Sequence, residues 1–256
     1  MNVPFFDLQA LATFILVFLR IAGFIFAIPV FGARTVPIRL RASIAAFVTL
    51  PVSFFVAKCP LPQGLVQLVI SMAGEIFIGL VIGLVVRFIF EGMQLAGQLI
   101  GFQMGFAIVN VVDPLSSTQV SIISQFVYLI AAFVFFAVDG HHLFILGAAQ
   151  SFRIVPLLAF DPSGTLIESI LSFSREIFVM AVKIGAPVMA LLVLVSISLG
   201  MIARTVPQIN IFIVGFPLKI GIGLIGIGLT LPFIVKVMGF AFSGFGKTIE
   251  ALIRLM

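Results

Sequence analysis

Long apolar runs, most of them carrying an isolated charged residue, alternate along this chain with short turns rich in proline, glycine and arginine. Runs of about 20 apolar residues have the length of a helix that crosses a bilayer. Residues 8–31 are predicted to form the first helix, with Arg20 near its middle and a close at Ile28-Pro29. A polar turn holding Arg34, Arg39 and Arg41 follows, then a second helix over about 42–57 with Pro51 as a kink. Residues 58–64, with Pro60 and Pro62, read as a loop. The third helix covers 65–90 and carries Glu75 and Arg87. After Glu91-Gly92 the chain continues either as one long bent helix or as the arm of a hairpin.

Downstream, residues 119–138 form a fourth apolar run ending at Asp139-Gly140. Residues 141–160 are shorter and broken by Pro156, and Asp161-Pro162-Ser163-Gly164 is a turn signature. Residues 165–203 exceed a simple span: the first half is amphipathic, with Glu168, Arg175, Glu176 and Lys183, and the second is apolar after Pro187. Residues 204–219 lead into a glycine-rich apolar run to about 240, and Lys247, Glu250 and Arg254 mark a short amphipathic tail. No soluble domain, low-complexity linker or fixed-period repeat interrupts this order, so residues 1–256 are expected to form a single all-α domain.

One segment does not suit lipid. In residues 92–118, Gly97, Gly101 and Gly105 recur at four-residue spacing and leave a bare strip on one helix face. Gln94, Gln98, Gln103 and Asn110 add amides that hydrocarbon cannot satisfy. Val111-Val112-Asp113-Pro114 then stops the helix. A segment that is apolar, smooth and amide-bearing is expected to pack on protein or to line a pathway.

Composition narrows the class. Hydrophobic residues make up 62% and charged residues 9% of the chain, against roughly 25% charged in soluble domains. The 30 Phe and single Tyr, Tyr128, come with no Trp, so the usual interfacial belt is missing. The net charge of +5 is spread over segment ends; no basic run with interleaved aromatics points to nucleic acid. The Arg-rich first turn would lie in the cytoplasm under the positive-inside rule, with the N-terminus outside. The opening MNVPFFDLQA lacks a basic n-region and a small-residue cleavage site, so the first apolar run is expected to be retained. Cys59 is the only cysteine, which excludes an internal disulfide and any Cys-based metal motif.

Charges inside the apolar runs require partners. A charge at the bilayer centre costs about 2.5 to 3.5 kcal/mol on insertion scales. Arg20 with Glu75 is a candidate inter-helix pair, and Arg87 with Glu91 an i,i+4 pair on one helix. Both serve either as a proton or ion relay or as structural pairing inside an assembly; no chain of acids at helical spacing links one site to another. So many half-polar helices suit a chain enclosed by partner subunits.

Several strings carry no chemistry. Gly221, Gly223 and Gly226 match a dinucleotide-binding GxGxxG but lie inside an apolar helix, without the strand and acid that motif needs. Asp139, His141 and His142 are few for a metal site, since adjacent helical residues point about 100° apart. No nucleophile context, Walker loop or HExxH occurs, so no enzyme, metal or cofactor is expected.

Two passages carry a likeness. Residues 101–114, GFQMGFAIVNVVDP, and 204–220, RTVPQINIFIVGFPLKI, resemble the signatures of the FliR family of flagellar type III export-gate proteins. The likeness extends over essentially the whole chain, and the second passage is closer to the flagellar branch than to the injectisome one. It implies tilted helical hairpins that join FliP-like and FliQ-like subunits, with an FlhB-like subunit associated, in a helical gate for unfolded flagellar substrates. It further implies an inner-membrane location at the flagellar basal body, with much of the assembly raised out of the bilayer. A loop that plugs the closed channel would run from about Phe106 to Val120, with Phe106, Ile108, Val109, Asn110, Val111, Val112, Asp113, Pro114 and Leu115 as gate residues. An apolar constriction of this kind excludes water and ions while shut. Two other classes stay open on the residues alone: an ion- or proton-coupled transporter using Arg20, Glu75 and Asp113, and a scaffold without a conducting role.

Overall fold

In hydrocarbon every backbone amide needs an internal partner, so apolar runs of this length have little choice but helix. A computed structural model describes residues 8–29, 36–60, 64–106, 121–160, 164–208 and 210–256. Among them the elements are α1 (Leu8–Ala27), α2 (Ile38–Phe55), α3 (Leu65–Met104), α4 (Ile122–Ala137), α5 (Gly140–Ile154), α6 (Gly164–Thr205), α7 (Ile211–Ser243) and α8 (Phe245–Ile253). No strand occurs among the described residues. Four helices, α1, α2, α3 and α6, and the run Ile213–Ile253 are long and apolar enough to cross a membrane. The α4–α5 pair, bent by 68°, makes a sixth candidate. The fold is that of an all-α membrane protein.

The helix boundaries depart from the sequence pattern in instructive ways. The second helix starts at Ile38, so Arg39 and Arg41 fall in its first turn and not in the preceding turn. Pro37 sets this start: its carbonyl accepts from the Leu40 and Arg41 amides, and its own missing N–H is not needed there. Two cations near a helix N-terminus oppose the macrodipole; Arg41 offsets this by lying 5.7 Å over the Phe26 ring. The third helix runs unbroken for 40 residues, which settles the choice between a hairpin arm and a long helix. The amphipathic and apolar halves of residues 165–203 are likewise one 42-residue helix that passes through Pro187. At 1.5 Å per residue, α3 and α6 are about 60 Å long, roughly twice the hydrocarbon thickness of a bilayer. Each must tilt steeply or extend beyond the lipid.

Packing divides the chain into two compact units, one of residues 1–88, 139–173 and 243–256 and the other of 89–138 and 174–242. In the first, α1 packs against α2 and crosses α3 at small residues. A Cβ on Gly23 would lie 2.7 Å from the Ile76 carbonyl oxygen, and one on Gly83 would overlap Ala27. Phe24 stacks on Phe144 of α5 with ring centroids 3.7 Å apart. Helix α8 closes this unit by setting Ile249 against Gly147. The second unit is built on aromatic contacts, with Phe90 5.7 Å from Phe135, 5.6 Å from Tyr128 and 5.8 Å from Phe242. Large apolar side chains remain outside this packing, Phe55 at 91% and Phe240 at 82% exposure. Exposure on that scale calls for lipid or protein around the chain.

Candidate functional site

The most polar buried point in the first unit lies where α1 crosses α3. Arg20 Nε donates to Glu75 Oε2 at 2.5 Å, and the two side chains are 2% and 1% exposed. Arg20 Nη1 donates to the Val155 carbonyl at 2.9 Å and to Ser151 Oγ at 3.3 Å. The guanidinium also lies 4.2 Å over the Phe152 ring. Glu75 Oε1 accepts from the Leu158 amide at 3.3 Å. Leu158 has φ of 69°, an uncommon state for a non-glycine residue, so a carboxylate from α3 holds the turn that follows α5 in a left-handed conformation. One ion pair thus joins α1, α3, α5 and that turn. Nη2 of Arg20 is buried with no hydrogen-bond partner among the described residues.

A second polar crossing lies in the other unit, at the glycine strip of α3. Gly97 would place a Cβ 2.6 Å from Ser124 Cα, so only a bare backbone fits there. Ser124 Oγ donates to the backbone carbonyl of Gln94 at 2.7 Å, a hydrogen bond between helices that does not involve the Gln94 side-chain amide. A Cβ on Gly101 would overlap Ser121 Oγ. Gln103 Oε1 and Ser121 Oγ are buried with no hydrogen-bond partner among the described residues.

Gly105 plays a different part from the other two glycines. The helix ends at Met104, and Gly105 sits just past it with φ of 98°. Its amide donates to Phe102 O at 3.1 Å, and the Phe106 amide donates to Gly101 O at 3.1 Å. These two bonds form a Schellman stop. The stop therefore comes at Gly105, well before Asp113-Pro114. Phe106 is a half-buried turn residue. Ile108, Val109, Asn110, Val111, Val112, Asp113, Pro114 and Leu115 lie outside the described residues.

Other side chains singled out by the sequence are placed as follows. Arg87 and Glu91 stand one turn apart on α3, Arg87 exposed and Glu91 half-buried, so they do not share the burial of Arg20 and Glu75. Asp139 takes a left-handed conformation at the start of α5 with φ of 54°. That geometry gathers its carboxylate with His141 and His142 so that their ligand atoms lie within 4.8 Å, closer than helical divergence predicts. Asp139 and His142 are exposed, and their nearest charged atoms are 3.6 Å apart. The GxGxxG glycines are in mid-helix in α7; a Cβ on Gly223 would lie 2.8 Å from the Met104 side chain and one on Gly226 3.1 Å from Leu191, whereas one on Gly221 would meet nothing within 4 Å among the described residues. Gly223 and Gly226 are packing positions.

The sequence pattern missed Ser151, Phe152, Val155 and Leu158, which complete the Arg20 cluster. Ser151 within an apolar helix was the available signal, but its link to a residue 131 positions away exists only in the fold.

The description "bacterial export proteins, family 1" matches residues 11–245. The chain belongs to that family. Among its similar relatives, the flagellar biosynthetic protein FliR of Bacillus subtilis (strain 168) is 36% identical over 246 residues, which covers 95% of each chain. The protein of the same name from Aquifex aeolicus (strain VF5) is 31% identical over 96% of this chain and 95% of its own. That of Escherichia coli (strain K12) is 25% identical over 88% and 86%. Within this export family the Arg20–Glu75 cluster, the Gly97–Ser124 crossing and the Gly105 stop all fall in the matched residues.

Proposed function

We propose that this chain is a non-enzymatic subunit of a flagellar type III protein export gate, in which residues 106–120 form a plug that seals the closed channel. The observation that carries it is the likeness, over 95% of both chains, to a protein named for flagellar biosynthesis. The structure supports the plug through its lead-in. Helix α3 presents a glycine face fixed against α4 by Ser124, then stops sharply at Gly105, so the chain leaves the helix at the start of this segment. An apolar segment held there by packing excludes water and ions when shut, and an unfolded substrate displaces it without breaking a covalent bond.

FliP-like and FliQ-like subunits, with an FlhB-like one, are the partners this role requires, in the inner membrane at the basal body. The exposed phenylalanines and the unpartnered Gln103 Oε1 and Ser121 Oγ support burial by other polypeptide segments. Three helices, α3, α6 and α7, supply residues to both compact units or run to their boundary, which supports treating residues 1–256 as one export-gate domain.

Ion-coupled transport needs a carboxylate free to exchange its cargo. Glu75 is committed to Arg20 and to the Leu158 amide, which favours a structural role. Deleting residues 110–116 and recording membrane conductance with the gate closed tests the plug. The deletion is expected to raise ion leak; an unchanged leak would overturn the assignment.

A further inference from the structure

Helices α2 and α5, both in the first compact unit, line a half-open groove of about 700 Å³. Val52 and Phe55 of α2 and Ile145, Leu146 and Ala149 of α5 give it apolar walls, and Gln150 and Arg153 are its polar members. Its volume falls in the range of small-molecule sites, roughly 300–1,000 Å³. We propose that this groove binds an anionic phospholipid, with an acyl chain along the apolar wall and the phosphate on Arg153.

The order of residues along the groove matches the order of groups in a lipid. The lining of α5 runs from Ile145 to Arg153, about 12 Å along the helix. It is apolar at one end and polar at the other. On the facing side, α2 is 18 residues long, about 27 Å, close to the hydrocarbon thickness of a bilayer. Its last turn, with Val52 and Phe55, lines the apolar wall, and the exposed Lys58 follows just beyond the helix end.

Charge selects the headgroup. Arg153 is exposed and makes no hydrogen bond or ion pair among the described residues, so its fork of donors is available to a phosphate. The carbonyl ends of two helices disfavour an anion on their own axes, so the attraction must come from the guanidinium. Basic pockets between membrane helices take anionic headgroups in this way. Arg20 is not available to help, because it is buried behind the Phe152 ring and bonded to Glu75.

The test uses the full-length chain, purified in detergent with whatever subunits remain attached, stripped of lipid and titrated with phosphatidylglycerol or phosphatidylcholine. Bound lipid is counted by native mass spectrometry. Phosphatidylglycerol is expected to bind more tightly than phosphatidylcholine, and Arg153→Gln to weaken it about fivefold while leaving phosphatidylcholine unchanged. Ala149→Trp, which fills the groove, is expected to abolish both. Equal binding of the two lipids, or an Arg153→Gln chain that binds phosphatidylglycerol normally, would overturn the proposal. So would loss of an attached subunit in Ala149→Trp with no change in bound lipid, which would make the groove a protein contact. None of these outcomes bears on closed-gate leak, so the site and the plug stand or fall separately.

Discussion

The backbone carbonyl oxygen of Arg20 occupies the space that a side chain on Gly79 would need. Gly79 lies one turn beyond Glu75 on α3, so the close approach of backbones and the buried ion pair belong to one crossing. Gly79→Ala must push α1 away from α3 and stretch the Arg20–Glu75 contact. Overpacking of this kind costs about 1–3 kcal/mol. Because a Cβ on Gly83 would also overlap its neighbours, the Ala27 methyl and the Phe24 carbonyl oxygen, Gly83→Ala is expected to fall in the same range. Gly64→Ala, whose Cβ would meet nothing within 4 Å among the described residues, is the control and should change little. Unfolding midpoints of the three variants in detergent, read against the parent chain, check the order.

Removing one partner of a buried pair leaves the other charge uncompensated, at about 3–5 kcal/mol. Glu75→Gln is therefore expected to destabilise strongly. It also weakens the acceptor that holds Leu158 in its left-handed turn. Removing both charges, with Arg20→Met and Glu75→Leu together, should recover most of that loss, since well-packed apolar replacements of buried pairs are often near neutral. A double variant as unstable as the sum of its parts would show that the hydrogen bonds to Ser151, Val155 and Leu158, and not the charge pair, dominate.

Arg20 and Glu75 were legible in the sequence because a charge in the middle of an apolar run demands a partner, and few candidates existed. Their other contacts were not. Val155 and Leu158 join the cluster only because the turn after α5 folds back over α3, and no local periodicity encodes that return. The glycine spacing of α3 was legible at Gly97 and Gly101 because a four-residue repeat leaves one helix face bare. Gly105 shares the spacing and is closely packed, on Phe216, but it also ends the helix. Asp113-Pro114 is the louder stop signal, whereas a glycine in an apolar run reads as more helix until its φ is known. Pro187 divided residues 165–203 into an amphipathic and an apolar half in the sequence, yet α6 runs through it as one helix, as membrane helices tolerate an internal proline.

At the second crossing, Ser124→Ala removes the hydroxyl that reaches the Gln94 carbonyl. Inter-helix hydrogen bonds in membrane proteins average about 0.6 kcal/mol and reach about 1.7, so a modest loss is expected. Gly97→Ala should cost more than Ser124→Ala, because its Cβ meets a backbone atom that cannot rotate away. Equal effects in the same unfolding assay would mean that α4 shifts freely along α3, and that the glycine face does not fix their distance.

Gly105→Ala meets two separate obstacles. At φ of 98° any side chain is strained, at about 1–2 kcal/mol by the usual left-handed penalty. The new Cβ also comes within 2.5 Å of the Phe216 ring. Phe216→Ala removes the second obstacle and leaves the first. The double variant is thus expected to be less impaired than Gly105→Ala imposed on an intact ring, yet still less stable than Phe216→Ala alone by the backbone term. If Phe216→Ala fully rescues Gly105→Ala, the backbone strain is absent and the Schellman stop can form with any residue. If it rescues nothing, the ring already moves aside, and strain at the end of α3 is the whole cost. Measuring the stability of all four chains, together with closed-gate leak, then tells whether a loosened helix end is transmitted to the segment that begins at Phe106.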